Sequence, residues 1–314
     1  MHRRQFFALG LGAAAACLAG CSAGTPSADV LGRVSVISGG EPWVPVARAL
    51  TRTLRTAGYL AQGRAATTIT VTGLTALATV QRNEGASVLD TTTPLARLVG
   101  EPEVVVVPVN SRHADFDAFA AHLTAEPSRT MLAGRPEGEA DHLLFGLIAK
   151  GLGADTRLVD YAGYPSTAEA AAALLAGRAA VAAGPLCEWR SRIDRGKVRA
   201  LAVSSAERVE GLDVPTLLES GVRVDFADWC AVLGPGGMRE DARAAAIAMC
   251  DRVAESERWQ DACRTGGWRP LPLSGDAFAQ WLGSEVERTH EVLFDLGLLD
   301  TPGTSCGDSC GGGH

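Results

Sequence analysis

The chain has 314 residues, 46% hydrophobic and 21% charged, a globular composition long enough for one large or two medium domains, each with its own core. Its formal charge is −7, whereas a nucleic-acid binder needs a basic face to displace counterions from phosphates. The basic cluster Arg190, Arg192, Arg195, Lys197 and Arg199 is interrupted by Glu188 and Asp194 and reads as a solvated helix and turn, so no nucleic-acid partner is expected.

Residues 1–20 read as a signal peptide. Arg3 and Arg4 make a positive start, and Ala8 to Ala16 form an apolar run well short of the roughly 20 residues that span a bilayer. Leu18-Ala19-Gly20-Cys21 resembles a bacterial lipobox, in which small residues admit the peptidase and the thiol of Cys21 takes a diacylglycerol. An ordinary secretory signal with an incidental cysteine is the alternative. Arg3-Arg4-x-Phe6-Phe7 also resembles a twin-arginine signal, and Sec and twin-arginine export both stay open. Residues 21–30 then form a lipidated tether, and the protein is expected on the extracytoplasmic face of the cell membrane.

From Leu31 onward, short β-rich runs alternate with helical periodicity, which implies an α/β fold. Val34–Ile37 reads as a strand, followed by a Ser38-Gly39-Gly40 turn. A helix then starts near Trp43, with Pro45 in its first turn and Gly58 at its end. Val104–Val107 is a wholly apolar run of the kind covered on both faces. A strand at Thr130–Ala133 precedes a helix over Glu139–Lys150. Further strands are predicted at Leu158–Tyr161, Ala180–Ala183, Ala200–Val203 and Cys230–Leu233, with helices over 166–176 and 187–195 between them. The last third is helical, over 239–254, 256–265 and Ser274–Leu296, with Ser274 as the N-cap of the last helix. Residues 301–314 are glycine-rich and read as a flexible tail.

Export leaves six oxidisable cysteines beyond Cys21. Cys250 and Cys263 sit on consecutive helices that must fold back on each other, and are the expected disulfide. Cys187 with Cys230 is a further pairing, and free buried thiols are the alternative. Cys306, Cys310 and His314 offer only three donors on a glycine-rich end, fewer than a closed zinc site, so no metal is expected. No cofactor is expected either.

Between residues 196 and 300 the strings Gly196–Ser205, Gly211-Leu212-Asp213-Val214-Pro215-Thr216, Glu219-Ser220-Gly221, Asp228-Trp229, Gly234-Pro235-Gly236, Gly267-Trp268 and Leu296-Gly297-Leu298 follow one another. In this order and spacing the chain resembles the substrate-binding proteins of tripartite tricarboxylate transporters, the TctC or Bug-type receptors. The resemblance implies a two-domain, periplasmic-binding-protein-like α/β fold with a ligand cleft between the domains and two crossing strands, Val104–Val107 and Cys230–Leu233. Domain 1 would be residues 31–103 plus 234–300, and domain 2 residues 108–229. It implies a monomeric receptor, not an enzyme, that passes a small organic solute to membrane transporter subunits.

Carried over by residue, the resemblance implies two ligand loops at helix N-termini, where bare N–H groups favour an anion. The first contains Ser38, Gly39, Gly40, Glu41 and Trp43. The second contains Arg135, Glu137, Gly138, Glu139, Asp141 and His142, and Tyr161, Gly163, Gly184 and Trp229 would wall the site. His142 could instead be a structural hydrogen-bonding partner, and Trp229 could fill the hinge. Arg135 could clamp a carboxylate or pair with the neighbouring acids.

The chain departs from the family pattern at three places. Ala65–Thr70 replaces a glycine-rich loop, the stretch from Gln81 to Thr93 is short, and the second loop carries Glu137, Glu139 and Asp141. Those acids complement the helix dipole themselves, so a neutral, zwitterionic or monoanionic solute is expected before a di- or tricarboxylate. A degenerate receptor that senses or scaffolds is one alternative. A hydrolase pairing Cys187 or Cys230 with His142 is another, although no nucleophile elbow sits between a strand and a helix.

Overall fold

The computed structural model describes residues 31, 33–60 and 67–299. The expected signal peptide, the tether with Cys21, and the tail with Cys306 and Cys310 lie outside the described residues.

The chain opens with β1 (Val34–Ser38), a single 3-10 turn at Glu41–Trp43, and helix α1 (Val44–Thr56). β2 (Thr67–Gly73) leads directly into α2 (Leu74–Arg82). Next comes a 17-residue strand, β3 (Thr92–Pro108). A second set follows: α3 (Phe116–Ala125), β4 (Leu132–Gly134), α4 (Ala140–Leu152), β5 (Tyr161–Gly163), α5 (Thr167–Leu175), β6 (Val181–Pro185), α6 (Leu186–Asp194) and β7 (Val198–Val203). β8 (Ala227–Pro235), α7 (Glu240–Glu255), α8 (Glu257–Gly266), β9 (Arg269–Ser274) and α9 (Gly275–Asp295) complete the chain.

Local chemistry explains most boundaries. Asp115 caps α3 by accepting from the Ala118 N–H at 2.8 Å, Ser166 caps α5, and Ser256 caps α8. Gly153 ends α4 with φ of 73° and Gly267 ends α8 with φ of 74°, the left-handed conformation glycine adopts without penalty. Ser274 stands at the N-cap of α9, as expected, but its hydroxyl makes no capping bond.

Two sheets share β3. In the first, β1 pairs parallel with β2, and β2, β8, β3 and β9 continue antiparallel. In the second, the C-terminal end of β3 lies between β6 and β7, and β4 and β5 extend the β6 side in parallel. The chain passes from one sheet to the other near Glu101–Glu103 and returns near Phe226–Asp228. Val104–Val107 therefore lies within the second sheet and Cys230–Leu233 within the first. Ser204 ties the two passages together: it accepts from the Glu103 N–H at 2.8 Å and donates to the Phe226 carbonyl at 2.6 Å.

Side chains alternate along these strands into different cores. Val104 and Val106 pack with α5 and α6 residues, while Val105 and Val107 pack against α3 and α4. Cys230 and Val232 face α1, α7 and α8. Trp229, Ala231 and Leu233 face the opposite core, shared by α2, α4 and α9. There α9 rests on the other half of the molecule: a methyl group on Gly146 of α4 would come within 2.8 Å of Val292.

Cys250 and Cys263 do not form the expected disulfide. Both are free thiols, buried in the apolar core beneath α7 and α8, where burial pushes their pKa values up to about 12 and about 11.

Candidate functional site

A cavity of about 1300 Å³ opens between the two sheets. One wall comes from the Glu41–Trp43 turn, α1 and α8, and the other from the Arg135–Glu139 loop, α5 and α6. The crossing strands supply the floor through Glu101 and Asp228.

On the first wall the turn after β1 is held from within: the Ser38 hydroxyl donates to the Gly40 carbonyl at 2.7 Å, and the Gly39 N–H donates to the Val71 carbonyl at 2.7 Å. Glu41 and Trp43 reach the cavity, whereas Ser38, Gly39 and Gly40 support them from behind. Trp43 is buried, with its indole N–H unpartnered among the described residues. Arg48 and Arg52, one turn apart on α1, line the cavity further along.

The second wall is organised by Arg135. Its Nε donates to Asp141 Oδ1 at 2.7 Å, one terminal nitrogen to Asp228 Oδ2 at 3.0 Å, and the other to Glu103 Oε1 at 2.9 Å. Its backbone N–H donates to Asp141 Oδ2 at 2.7 Å. Burial alone would lower the pKa of Arg135, but Asp141, Glu103 and Asp228 more than offset it and hold it well above the usual value. Of the two readings open from sequence, Arg135 pairs with the protein's own acids. Helix α4 begins too close to the loop for any side chain at Gly134: a methyl there would fall 2.5 Å from Asp141 Cβ.

Gly138, His142 and Tyr161 are held by contacts within the second wall. Gly138, at φ of 80°, donates its N–H to His142 Nδ1 at 3.1 Å. His142 stacks on Tyr161 with ring centroids 4.1 Å apart, and burial followed by the charge on Arg82 lowers its pKa to about 4. Tyr161 in turn donates its hydroxyl to the Arg135 carbonyl at 2.5 Å. The Glu137 carbonyl accepts from Arg82 at 2.7 Å, while its side chain is exposed outside the cavity. Gly163 abuts the Pro136–Glu137 backbone, and Gly184 lies beneath Asp141 against Trp189. Trp229 does not flank the site: it is buried on the far face of β8, its indole N–H donating to Glu285 at 3.1 Å. Of the residues expected at the ligand, Glu41, Trp43, Arg135 and Glu139 line the cavity.

Sequence reasoning missed the floor. Glu101 and Asp228 are register partners across β3 and β8, which places two carboxylates side by side. Burial, then the neighbouring Asp228, raises Glu101 to about 7. Burial raises Asp228 and Glu139 as well, and pushes Glu103 well above the carboxylate range with help from Asp141. Glu103 Oε2 and Asp228 Oδ1 are buried without hydrogen-bond partners among the described residues. Only the alternation along β8 could have signalled Asp228, since it shares a face with Cys230 and not with Trp229.

Among the described residues no thiol beside the cavity is primed as a nucleophile. Cys187 contacts Glu101 Oε1 at 3.5 Å, and burial with that acid pushes it up to about 12. Cys230 is sealed in the core, and the His142 ring is committed to Gly138 and Tyr161.

The family model described as tripartite tricarboxylate transporter family receptor, TctC, matches residues 69–298. A curated relative, the UPF0065 protein in the tcbD–tcbE intergenic region of Pseudomonas sp. strain P51, is 26% identical over 200 residues. That match covers 63% of this chain and 59% of the relative, so the chain spans less than two thirds of the relative's length. A solved TctC solute-binding protein from Polaromonas is similar with a TM-score of 0.68 and 18% identity, over 84% of this chain and 99% of that one. MatC from Rhodopseudomonas palustris, solved with bound malate, gives a TM-score of 0.61 and 20% identity over 83% and 98% of the two chains. At these identities the likeness is one of fold, the two-domain architecture of periplasmic binding proteins.

Proposed function

The chain belongs to the tripartite tricarboxylate transporter receptor family, TctC, and from that premise we propose that it is an extracytoplasmic solute-binding lipoprotein. It captures a small organic solute, a carboxylate or a zwitterion, in the cleft between its two sheets and presents it to the membrane subunits of a tripartite transporter. A signal over residues 1–20 directs export, and a lipid on Cys21 holds the receptor at the membrane. Domain 1 (31–103 plus 234–300) and domain 2 (108–229) turn about the two crossing passages as the solute is enclosed.

The observation that carries this reading is the cavity itself. Its two walls come from different sheets, two passages among the described residues join those sheets, and Ser204 ties the passages to each other. A site with that geometry can trap a ligand by hinge motion. Malate in MatC supports an organic acid as one part of the solute. The inert thiols argue for a receptor over a Cys-dependent hydrolase. The test is small-angle X-ray scattering of the full-length protein in detergent, across a panel of organic acids, amino acids and amines. A binder that lowers the radius of gyration supports capture by closure. A binder found by calorimetry that leaves the radius unchanged counts against it.

A further inference from the structure

Among the described residues Arg135 is the one cation on the second wall, and the protein's own carboxylates already occupy its guanidinium. Around it stand Glu101, Glu139 and Asp228, all lining the cavity. Asp228 is 1% exposed, and its Oδ1 is buried without a partner among the described residues. An orphaned buried carboxylate oxygen calls for a donor. The register pairing of Glu101 with Asp228 brings a second carboxylate beside it, where like charges repel unless a proton or a cation comes between them. On the opposite wall, Arg48, Arg52 and Arg258 line the same cavity together with Glu41, Glu257 and Asp261, and the guanidinium groups of Arg48 and Arg52, both on exposed residues, have no ion-pair or hydrogen-bond partner among the described residues.

Resting on the receptor reading above, we propose that the solute is a zwitterion. Its cationic group lies against Glu101, Glu139 and Asp228, and its carboxylate meets Arg48 and Arg52. A dicarboxylate would place its second anion against three acids and a guanidinium whose charge is already shared among Asp141, Glu103 and Asp228. A diamine would place its second cation against two arginines.

Glu101, raised to about 7 first by burial and then by Asp228, gives a further readout. Cys187 and Glu188 of α6, Asp228 of β8 and Arg135 face it, and Arg190, Arg208, Glu210 and Arg269 line the adjoining groove. An ammonium at this point favours the ionised carboxylate, so binding releases a proton near pH 7 and affinity rises between pH 6 and pH 8.

The experiment is calorimetry on the full-length protein in detergent with three matched series of three to six carbons: ω-amino acids, α,ω-dicarboxylates and α,ω-diamines. The common α-amino acids are run beside them. We expect an amino acid to bind at least tenfold more tightly than the dicarboxylate and the diamine of equal length. That affinity should fall at least tenfold in Glu101→Gln/Glu139→Gln, and separately in Arg48→Gln/Arg52→Gln, both pairs being at the accessible cavity wall. A dicarboxylate or a diamine that binds as tightly as its matched amino acid overturns the inference and leaves the receptor reading intact. Amino-acid binding that neither double variant weakens also overturns it. No binding in any series, with no compaction by scattering, overturns both readings.

Discussion

Replacing Arg135 tests the electrostatic heart of the second wall. Arg135→Gln keeps a polar side chain but removes the charge shared by Asp141, Asp228 and Glu103, whose side chains are 0%, 2% and 0% exposed. Removing one partner of a buried ion pair typically costs about 3–5 kcal/mol, because the remaining charge stays desolvated. Three acids depend on this one arginine, so we expect the upper half of that range at pH 8. For a protein of this size, it corresponds to a fall in melting temperature on the order of 10 °C.

The deficit depends on pH with a definite sign. Without Arg135, which opposes the effect of burial, the folded-state pKa values of Asp228 and Glu103 rise still further above those of the unfolded chain. The folded variant then holds protons that the unfolded chain has released, and it gains stability as pH falls. Thermal unfolding followed by circular dichroism at pH 8 and pH 5 should show a deficit that at least halves at the lower value. Adding Asp228→Asn to Arg135→Gln should recover part of the loss at pH 8. A deficit below about 1 kcal/mol, or one that does not change with pH, would refute the reasoning.

Glu101, with its folded pKa near 7 against about 4.3 unfolded, destabilises the protein progressively as pH rises through that window. Glu101→Gln should therefore be more stable than wild type at pH 8 by about 1–3 kcal/mol, with the gain vanishing by pH 5. His142, whose stability contribution is lost as pH falls towards 4, is common to both proteins and cancels in the comparison. Gly134→Ala should cost about 1–3 kcal/mol from the clash with Asp141, measured by the same unfolding transition. Cys250 and Cys263 should resist alkylation in the native, non-reduced protein and react once it is unfolded; a peptide containing both as a disulfide would contradict the structure. Cys21→Ala should release the protein from membranes, read by fractionation and by loss of lipid incorporation.

Most of the framework was legible because it rests on periodicity. Val104–Val107 is apolar on both faces, and the structure covers both. The helix over 139–150 shows its stripe and ends on a glycine, and it appears as Ala140–Leu152. The N-terminal half of β3 was hidden: Pro94, Gly100 and Pro102 break the strand signal, yet the strand runs through all three, with register shifts at Pro94/Ala96 and Arg97/Val99. β9 was hidden likewise, because Pro270 and Pro272 are tolerated only on an edge. β2 and α2 fell where residues 65–70 read as a substituted loop.

The site was only half legible, for a different reason. A loop at a helix N-terminus can be located from local sequence, and Arg135 and Glu139 were found that way. Glu101 and Asp228 meet only through pairing between strands more than a hundred residues apart, which no local pattern encodes. Trp229 misled because an aromatic beside a hinge fits either face of its strand, and the pleat turns it away from the cleft. The two cysteines misled in a similar way: helices that fold back on each other need not bring their thiols into bonding geometry.

Hydrogen exchange measured by mass spectrometry, with and without the best-binding solute from the calorimetric series, tests capture in the cleft most directly. The account predicts protection concentrated in peptides covering Glu41–Thr53, Glu101–Glu103, Arg135–Glu139 and Phe226–Asp228, with α9 unchanged. Protection confined to surfaces away from these segments, at saturating solute, would contradict it.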